Sequence, residues 1–210
     1  MSDWPRTSLA EIATDDGFAI GPFGSRMKTE HYTAAGARVL RGTNITDDGR
    51  IEGDFVYVSE DFADSLGSAR LRPGDIALPH RGAIGRAALV KTDDLVMSTS
   101  LMRVRVDPDR ADPRFVAAFL ASDAGRREIL QFASTVGTPG IGQPLSSLRK
   151  VRLSLPPVGE QRKIAWVLGA LDDLIENNRT LTTKLEGEAS AFFATCAFDR
   201  EPGPGATLLG

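Results

Sequence analysis

Two rhythms of apolar residues run along this chain, and they change over at Pro156. Before it, apolar positions come in short runs broken by Gly, Pro and Asp, the pattern of short strands. ARVLRGTNIT (37–46) reads as a strand entering a Gly-Thr-Asn turn. In ITDDGRIEGDFVYVSE (45–60), the Asp48-Gly49 pair predicts a hairpin whose return strand is Phe55 to Val58. Pro73-Gly74 predicts a turn into a strand from Asp75 to Leu78, and Ala87 to Val90 a further strand. In VMSTSLMRVRVDP (96–108), Leu101, Arg103 and Arg105 alternate with Met102, Val104 and Val106, which predicts a half-buried strand. Val151, Leu153 and Leu155 predict the last strand, after a short turn at Ser146–Leu148. Helical periods are brief: TSLAEIAT with Thr7 or Ser8 as cap, EDFADSLG ending at Gly67, and two patterns in 112–134 interrupted near Ser122 to Gly125. The sum is an α+β domain of short, mainly antiparallel strands with peripheral helices over residues 1–155.

After Pro156 the period is helical. Two prolines end the strand, because neither can donate to a sheet ladder, and proline suits a first helical turn. Glu160 in that turn complements the helix dipole. One set of seam positions is Ile164, Leu171, Asn178, Leu185 and Phe192; the other is Val167, Leu174, Leu181 and Glu188. Alternating steps of three and four are the heptad pattern of a coiled coil, and polar Asn178 is the kind of seam residue that sets register. Glu188 departs from the pattern. A helix from about 159 to 194 spans roughly 50 Å, longer than a domain of this size, so the expectation is an arm that finds another helix. The competing expectation is an amphipathic helix folded back on its own domain. The arm is placed at 156–196 and a flexible tail at 197–210.

Composition narrows the classes. The one cysteine, Cys196, has no intramolecular disulfide partner, which fits a reducing cytoplasm. The start MSDWPRTSLAE lacks a signal-peptide pattern, and no apolar run approaches the ~20 residues of a membrane span. Net charge is −3, which counts against a nucleic-acid partner, but residues 1–155 hold equal numbers of basic and acidic side chains. Of the 25 basic residues 20 are arginine, the side chain best built to fork onto phosphate or guanine. Arginine-rich codon usage explains the same count.

Enzyme chemistry finds little support. His31 and His80 have no ligand-like spacing, Cys196 lies near the end, and GPFGSR lacks the Gly-Lys-Ser/Thr ending of a phosphate loop. No catalytic residue, cofactor or metal is expected.

The segment LPPVGEQRKIAWVLGALDDLIENNRTLTTKLE resembles the helical region of the DNA-specificity subunit of type I restriction-modification systems. Upstream, LRPGDIALPHRGAIGRAALV, STSLMRVRVDPDRADPRFVAAFLASDAGRREI and GTPGIGQPLSSLRKVRLSLPP follow in that family's order, so the resemblance runs from about residue 18 to 195. It implies a non-catalytic subunit. A target recognition domain reads one half of a split DNA sequence, and helical spacers set the gap and recruit adenine methyltransferase subunits. Restriction subunits complete an ATP-dependent endonuclease. The family usually has two recognition domains and two helical regions; this chain has one of each and resembles a half-subunit. Two copies pairing antiparallel, with Asn178 facing its twin, restore the symmetry and read a split palindrome. Truncation, or a separately encoded partner half, gives the same length.

The DNA-contact candidates are polar residues in Gly-rich loops: Ser25, Arg26 and Lys28; Arg41, Thr43 and Asn44; His80, Arg81 and Arg86; Ser98, Thr99 and Ser100; Thr135, Thr138 and Gln143. Arg81 or Arg41 suits guanine, Asn44 or Gln143 adenine. Each has a structural alternative: His80 on a loop carbonyl, Asn44 in an Asx turn, Arg86 paired with Asp75, the 98–100 hydroxyls capping a strand. Two other functions stay open: a coiled-coil adaptor or regulator whose globular part binds protein, and a stand-alone DNA-binding protein.

Overall fold

The structure is a computed structural model, and it describes residues 4–134 and 139–198. The elements run β1 (Arg6–Ser8), α1 (Leu9–Ile12), β2 (Ala13–Ile20), β3 (Tyr32–Thr33), β4 (Ala37–Leu40), β5 (Val56–Val58) and α2 (Glu60–Ser65). Then follow β6 (Ile76–Pro79), β7 (Ala88–Leu89), β8 (Leu95–Met97), β9 (Leu101–Val106), α3 (Pro113–Ala121) and α4 (Asp123–Leu130). The last are β10 (Ala133–Ser134), β11 (Gly140–Ile141), α5 (Pro144–Lys150), β12 (Arg152–Ser154) and α6 (Val158–Phe198). Two four-stranded sheets, ordered β2-β9-β6-β7 and β3-β5-β4-β8, form the framework, with two-stranded pairs β1-β12 and β10-β11 beside them. All pairings between named strands are antiparallel except β4 with β8.

Alternation along β6 and β9 explains how the layers stack. Ile76, Leu78, Met102, Val104 and Val106 share one core with Leu9, Phe115, Val116, Leu120, Ile129 and Leu148 from α1, α3, α4 and α5. Ala77, Ala88 and Leu101 point the other way, into a core with Val39, Leu40, Val58, Val96 and Met97 of the second sheet. The first sheet is therefore covered on both faces, by helices on one and by the second sheet on the other. This corrects the half-buried reading of β9. Arg103 is only 3% exposed; it donates to the Gly17 and Ser68 carbonyls at 3.3 and 3.4 Å, with the Asp75 carboxylate at 3.8 Å to balance its charge. Asp75, itself fully buried, takes both arms of Arg105 at 2.7 and 2.9 Å and the Arg72 amide at 2.9 Å. A buried carboxylate needs that many donors to be tolerated.

Local signals act as their chemistry requires. Ser8 and Glu11 form the capping box of α1, Asp112 caps α3 and Ser122 caps α4. Gly49 takes φ +80° in the Asp48-Gly49 turn, and Ile45 pairs with Ile51 across it. Three features differ from expectation: β2 is a strand that no expected element covers, β8 is a separate strand, and 144–150 is a helix rather than a turn.

The start of α6 has a specific cause. The Gln161 side chain is fully buried; its Oε1 accepts the Asp112 amide at 2.8 Å and its Nε2 donates to the Pro156 carbonyl at 2.7 Å. One side chain thus ties the first turn of α6 to the cap of α3 and to the chain just before it. The chain divides into two compact units, Met1–Ala165 and Trp166–Gly210. From Trp166 to Thr195 every residue except Gly169 is exposed, with Leu171 at 52%, Leu174 at 56%, Leu181 at 54% and Leu185 at 55%. The seam is uncovered in the single chain; only Ile164, at its start, packs against a core. Residues 199–210, most of the expected tail, lie outside the described residues. No helix among the described residues is long and apolar enough to cross a membrane.

Candidate nucleic-acid interface

Four loops enclose a concavity of about 400 Å³ in the first unit. Its lining is Met27 and Tyr32, Arg41 to Thr43, Arg81 to Ala83, and Ser98 to Ser100. Six of the candidate residues, Arg41, Thr43, Arg81, Ser98, Thr99 and Ser100, come together here from positions up to 59 apart in sequence. No Asp or Glu lines it.

Backbone pairing fixes the walls. The Ser98 amide donates to the Leu40 carbonyl at 2.9 Å, which ties the 98–100 turn to the end of β4 just before Arg41. The His80 amide donates to the Ser100 carbonyl at 2.9 Å, and the Gly82 amide to the Pro139 carbonyl at 3.0 Å. Gly82 adopts φ +79°, a left-handed conformation that suits glycine and turns the chain beside Arg81. On the remaining side, Gly21 donates to the Leu101 carbonyl at 2.8 Å. A Cβ at Gly21 would stand 1.8 Å from the Ser98 carbonyl oxygen, so only glycine permits this close approach.

The candidates divide by what their side chains do. Arg81 is exposed and, among the described residues, makes no hydrogen bond or ion pair. Thr43 and Thr99 are also exposed. The Ser98 and Ser100 hydroxyls lie 3.3 Å apart. Arg41 donates through Nη2 to the Asp54 carbonyl at 3.0 Å, which leaves its Nε buried without a partner. Arg26 donates to the Ser65 carbonyl at 3.2 Å, and Lys28 pairs with Glu30 at 3.5 Å.

Others hold the loops instead. Asn44, 2% exposed, accepts the Arg41 amide and donates to the Glu52 and Asp54 carbonyls at 3.2 and 3.0 Å. Its amide is fully engaged inside the 41–54 loop, so the adenine-pairing expectation is replaced by a turn-fixing role. His80 is 7% exposed, and its Nε2–H donates to the Thr99 carbonyl at 3.2 Å. Burial is the main cause of its lowered pKa, which keeps the imidazole neutral under Ser98–Ser100. Arg86 pairs with Asp47 at 3.0 Å and donates to the Ile45 carbonyl at 2.9 Å, not with Asp75. Hydrogen bonds from Arg126 and then Arg86 hold the Asp47 carboxyl below its usual pKa. Gln143 is the exposed residue preceding α5 and does not line the concavity. Thr135 and Thr138 lie outside the described residues, and the Ser25 side chain is likewise not described. Sequence reasoning missed Met27 and Tyr32, whose apolar character gave no binding signal. It also missed Gln161, although a glutamine at the start of an amphipathic helix that folds inward needs a buried partner.

The class defined here is a mixed α+β unit with an arginine- and hydroxyl-lined, carboxylate-free concavity, followed in sequence by a long helix with an uncovered apolar seam. The chain belongs to the type I restriction modification DNA specificity domain family, whose model matches residues 21–187. It is 24% identical over 191 residues to the type I restriction enzyme MjaVIII specificity subunit of Methanocaldococcus jannaschii, covering 88% of this chain and 43% of that protein. Solved structures share the fold. The HsdS subunit from Thermoanaerobacter tengcongensis aligns with TM-score 0.55 and 18% identity over 99% of this chain and 52% of its own. The type I restriction-modification S subunit from M. genitalium aligns with TM-score 0.59 and 18% identity over 83% of this chain and 40% of its own. A chain from a structural study of type I system assembly and conformational transition gives TM-score 0.56 at 19% identity, over 98% of this chain and 51% of that one. The chain thus spans about half the length, or less, of the relatives it matches.

Proposed function

We propose that this chain is a non-catalytic DNA-recognition subunit. Residues 1–155 read one half of a bipartite duplex target, and residues 156–196 act as the spacer that sets the distance to a second reader. The observation that carries this reading is the concavity: two arginines and five hydroxyl-bearing side chains, with no carboxylate, in a chain of net charge −3. Such a lining offers donors to phosphates and base edges and nothing that repels them. Arg81, whose side chain makes no hydrogen bond or ion pair among the described residues, is the assigned base reader, forked onto the O6 and N7 of a guanine. Arg26 and Lys28 are assigned to phosphates.

The spacer self-pairs through its exposed seam in a two-fold homodimer, so the target is a split palindrome. Asn178 is the central residue of the 41-residue helix, which favours symmetric antiparallel pairing. The paired arms dock the adenine methyltransferase subunits and, through them, the restriction subunits.

The test is a salt series of duplex binding by fluorescence anisotropy with the full chain. The reading predicts affinity that falls linearly in log–log form as salt rises. Arg26→Ala weakens all duplexes alike and lowers the salt slope by about one, whereas Arg81→Ala erases discrimination at one base pair, worth ~1–3 kcal/mol. Salt-independent or absent duplex binding with intact self-association would instead establish a coiled-coil adaptor.

A further inference from the structure

Phe23 stands apart from the rest of the first unit. It is 78% exposed, whereas the other large apolar residues exposed in this unit, Tyr32 and Leu130, are at 38%. The loop that carries it is not loose. On one side Gly21 is hydrogen-bonded to the Leu101 carbonyl and pressed against the Ser98 carbonyl, and Pro22 is buried. On the other side Met27 is buried at 8% exposure in the core of the second sheet and lines the concavity. Between these anchors the chain makes a single tight turn, with the Arg26 amide on the Phe23 carbonyl at 2.8 Å. Phe23 is thus held out on a turn between two residues that pack at the concavity, Gly21 against Ser98 and Met27 in its lining.

The chemistry around it selects the occupant. Between Gly17 and Thr29 there is no acidic residue, and exposed Arg26 and Lys28 follow Phe23. Arg26 rests on the Ser65 carbonyl at 3.2 Å and Lys28 on exposed Glu30 at 3.5 Å, surface contacts weak enough for a phosphate to replace. A protein interface core is depleted of charge and contiguous in its apolar surface; a lone aromatic flanked by cations is neither. A base step of duplex DNA is an apolar gap with a phosphate on either side, and this arrangement matches it.

We infer that Phe23 is a wedge that inserts between stacked base pairs beside the concavity, while Arg26 and Lys28 hold the flanking phosphates. The inference rests on the DNA-reading function proposed above and adds a deformation to it. Insertion partly unstacks the step and bends the duplex, so sequences with easily opened pyrimidine–purine steps at that place bind best.

The experiment uses the full chain and a mixed-sequence 40-bp duplex at low salt, because stacking on an aromatic ring tolerates any base. The chain has two tryptophans, Trp4 and Trp166. Replacing both by Phe and making Phe23→Trp places a single reporter at the tip. The expected results are quenching of that tryptophan on duplex addition and roughly tenfold weaker binding by Phe23→Ala, with Phe23→Leu between. The urea midpoint of Phe23→Ala should be unchanged, since the ring is exposed. If the parent binds duplex while Phe23→Ala binds equally and the reporter is not quenched, the wedge is overturned and the DNA-reading function stands. If Phe23→Ala instead loses capture of the methyltransferase with duplex affinity intact, the loop is a protein contact and the wedge is again wrong. If the parent does not bind duplex at any salt, both fall together.

Discussion

Gln161→Leu removes the polar side chain that ties the start of α6 to the cap of α3, while Ile164 and Ala165 still pack on the core. Leucine has nearly the volume of glutamine, so the change opens no cavity and the cost is polar. Two buried groups lose their partners: the Asp112 amide, held at 2.8 Å, and the Pro156 carbonyl, held at 2.7 Å. Each orphaned group costs ~1–3 kcal/mol, or ~2–6 kcal/mol for the pair. A urea slope of about 2 kcal/mol per molar turns that into a midpoint drop of about 1–3 M. Urea unfolding of the full chain, followed by far-ultraviolet circular dichroism and tryptophan fluorescence, reads it directly. Gln161→Glu refines the test. A buried carboxylate there can still accept the Asp112 amide but has no proton for the Pro156 carbonyl, so its folded-state pKa rises above the usual ~4.3. A raised folded-state pKa means the variant is least impaired below about pH 4 and loses stability as pH rises through that pKa. A midpoint shift under about 0.3 M for Gln161→Leu, or no pH dependence for Gln161→Glu, would refute the anchoring role.

Three further outcomes follow from the same geometry. Asp75→Asn takes the carboxylate from buried Arg103 and leaves part-buried Arg105 with only Asp16, at 3.2 Å, and should destabilise the chain by ~3–5 kcal/mol; a loss below 1 kcal/mol by urea titration rules out the buried pair as a cornerstone. Hydrogen bonding from Arg38 lowers the Asp94 pKa from 3.8 to about 2, which would be ~2.4 kcal/mol unscreened and is discounted to about 1 kcal/mol because the side chain is 41% exposed. That contribution is present above about pH 4 and disappears as pH falls toward 2, so Asp94→Asn should match the parent at pH 2 and trail it at pH 7. Asn178→Leu should tighten arm pairing while mixing stoichiometries in sedimentation velocity; a parent that stays monomeric at high concentration contradicts self-pairing.

Much of the fold could be read from local chemistry, and the exceptions share a cause. Caps, the Asp48-Gly49 hairpin, the break at Ser122 and the abrupt helix after Pro157 all depend on residues within a few positions of one another. β2 escaped because ATDDGFAI places two aspartates and a glycine where alternation should run; its register shifts between Ala13 and Phe18 to accommodate them. The burial of Arg103 and Arg105 depends on Asp75, some 30 residues earlier, and no window along the strand contains it. Pro144 at the first helical position was a start signal outweighed by two serines in PLSSLRK. At the candidate site, three of the segments named from sequence, at 41–43, 81–83 and 98–100, line one concavity. Which side chains face outward was decided by pairing beyond the immediate turn: Asn44 and His80 turn inward to hold carbonyls, while the Arg81 and Thr99 side chains are exposed and make no hydrogen bond among the described residues.

The most direct test of the central claim is adenine-methylation mapping across the genome of cells that make this protein and the methyltransferase proposed as its partner, compared with cells lacking only this protein. The account predicts that one bipartite motif, two inverted short sequences separated by a fixed gap, loses its methylation when the protein is removed and regains it on complementation. An unchanged methylation map would contradict the proposal that this chain chooses the DNA sequence.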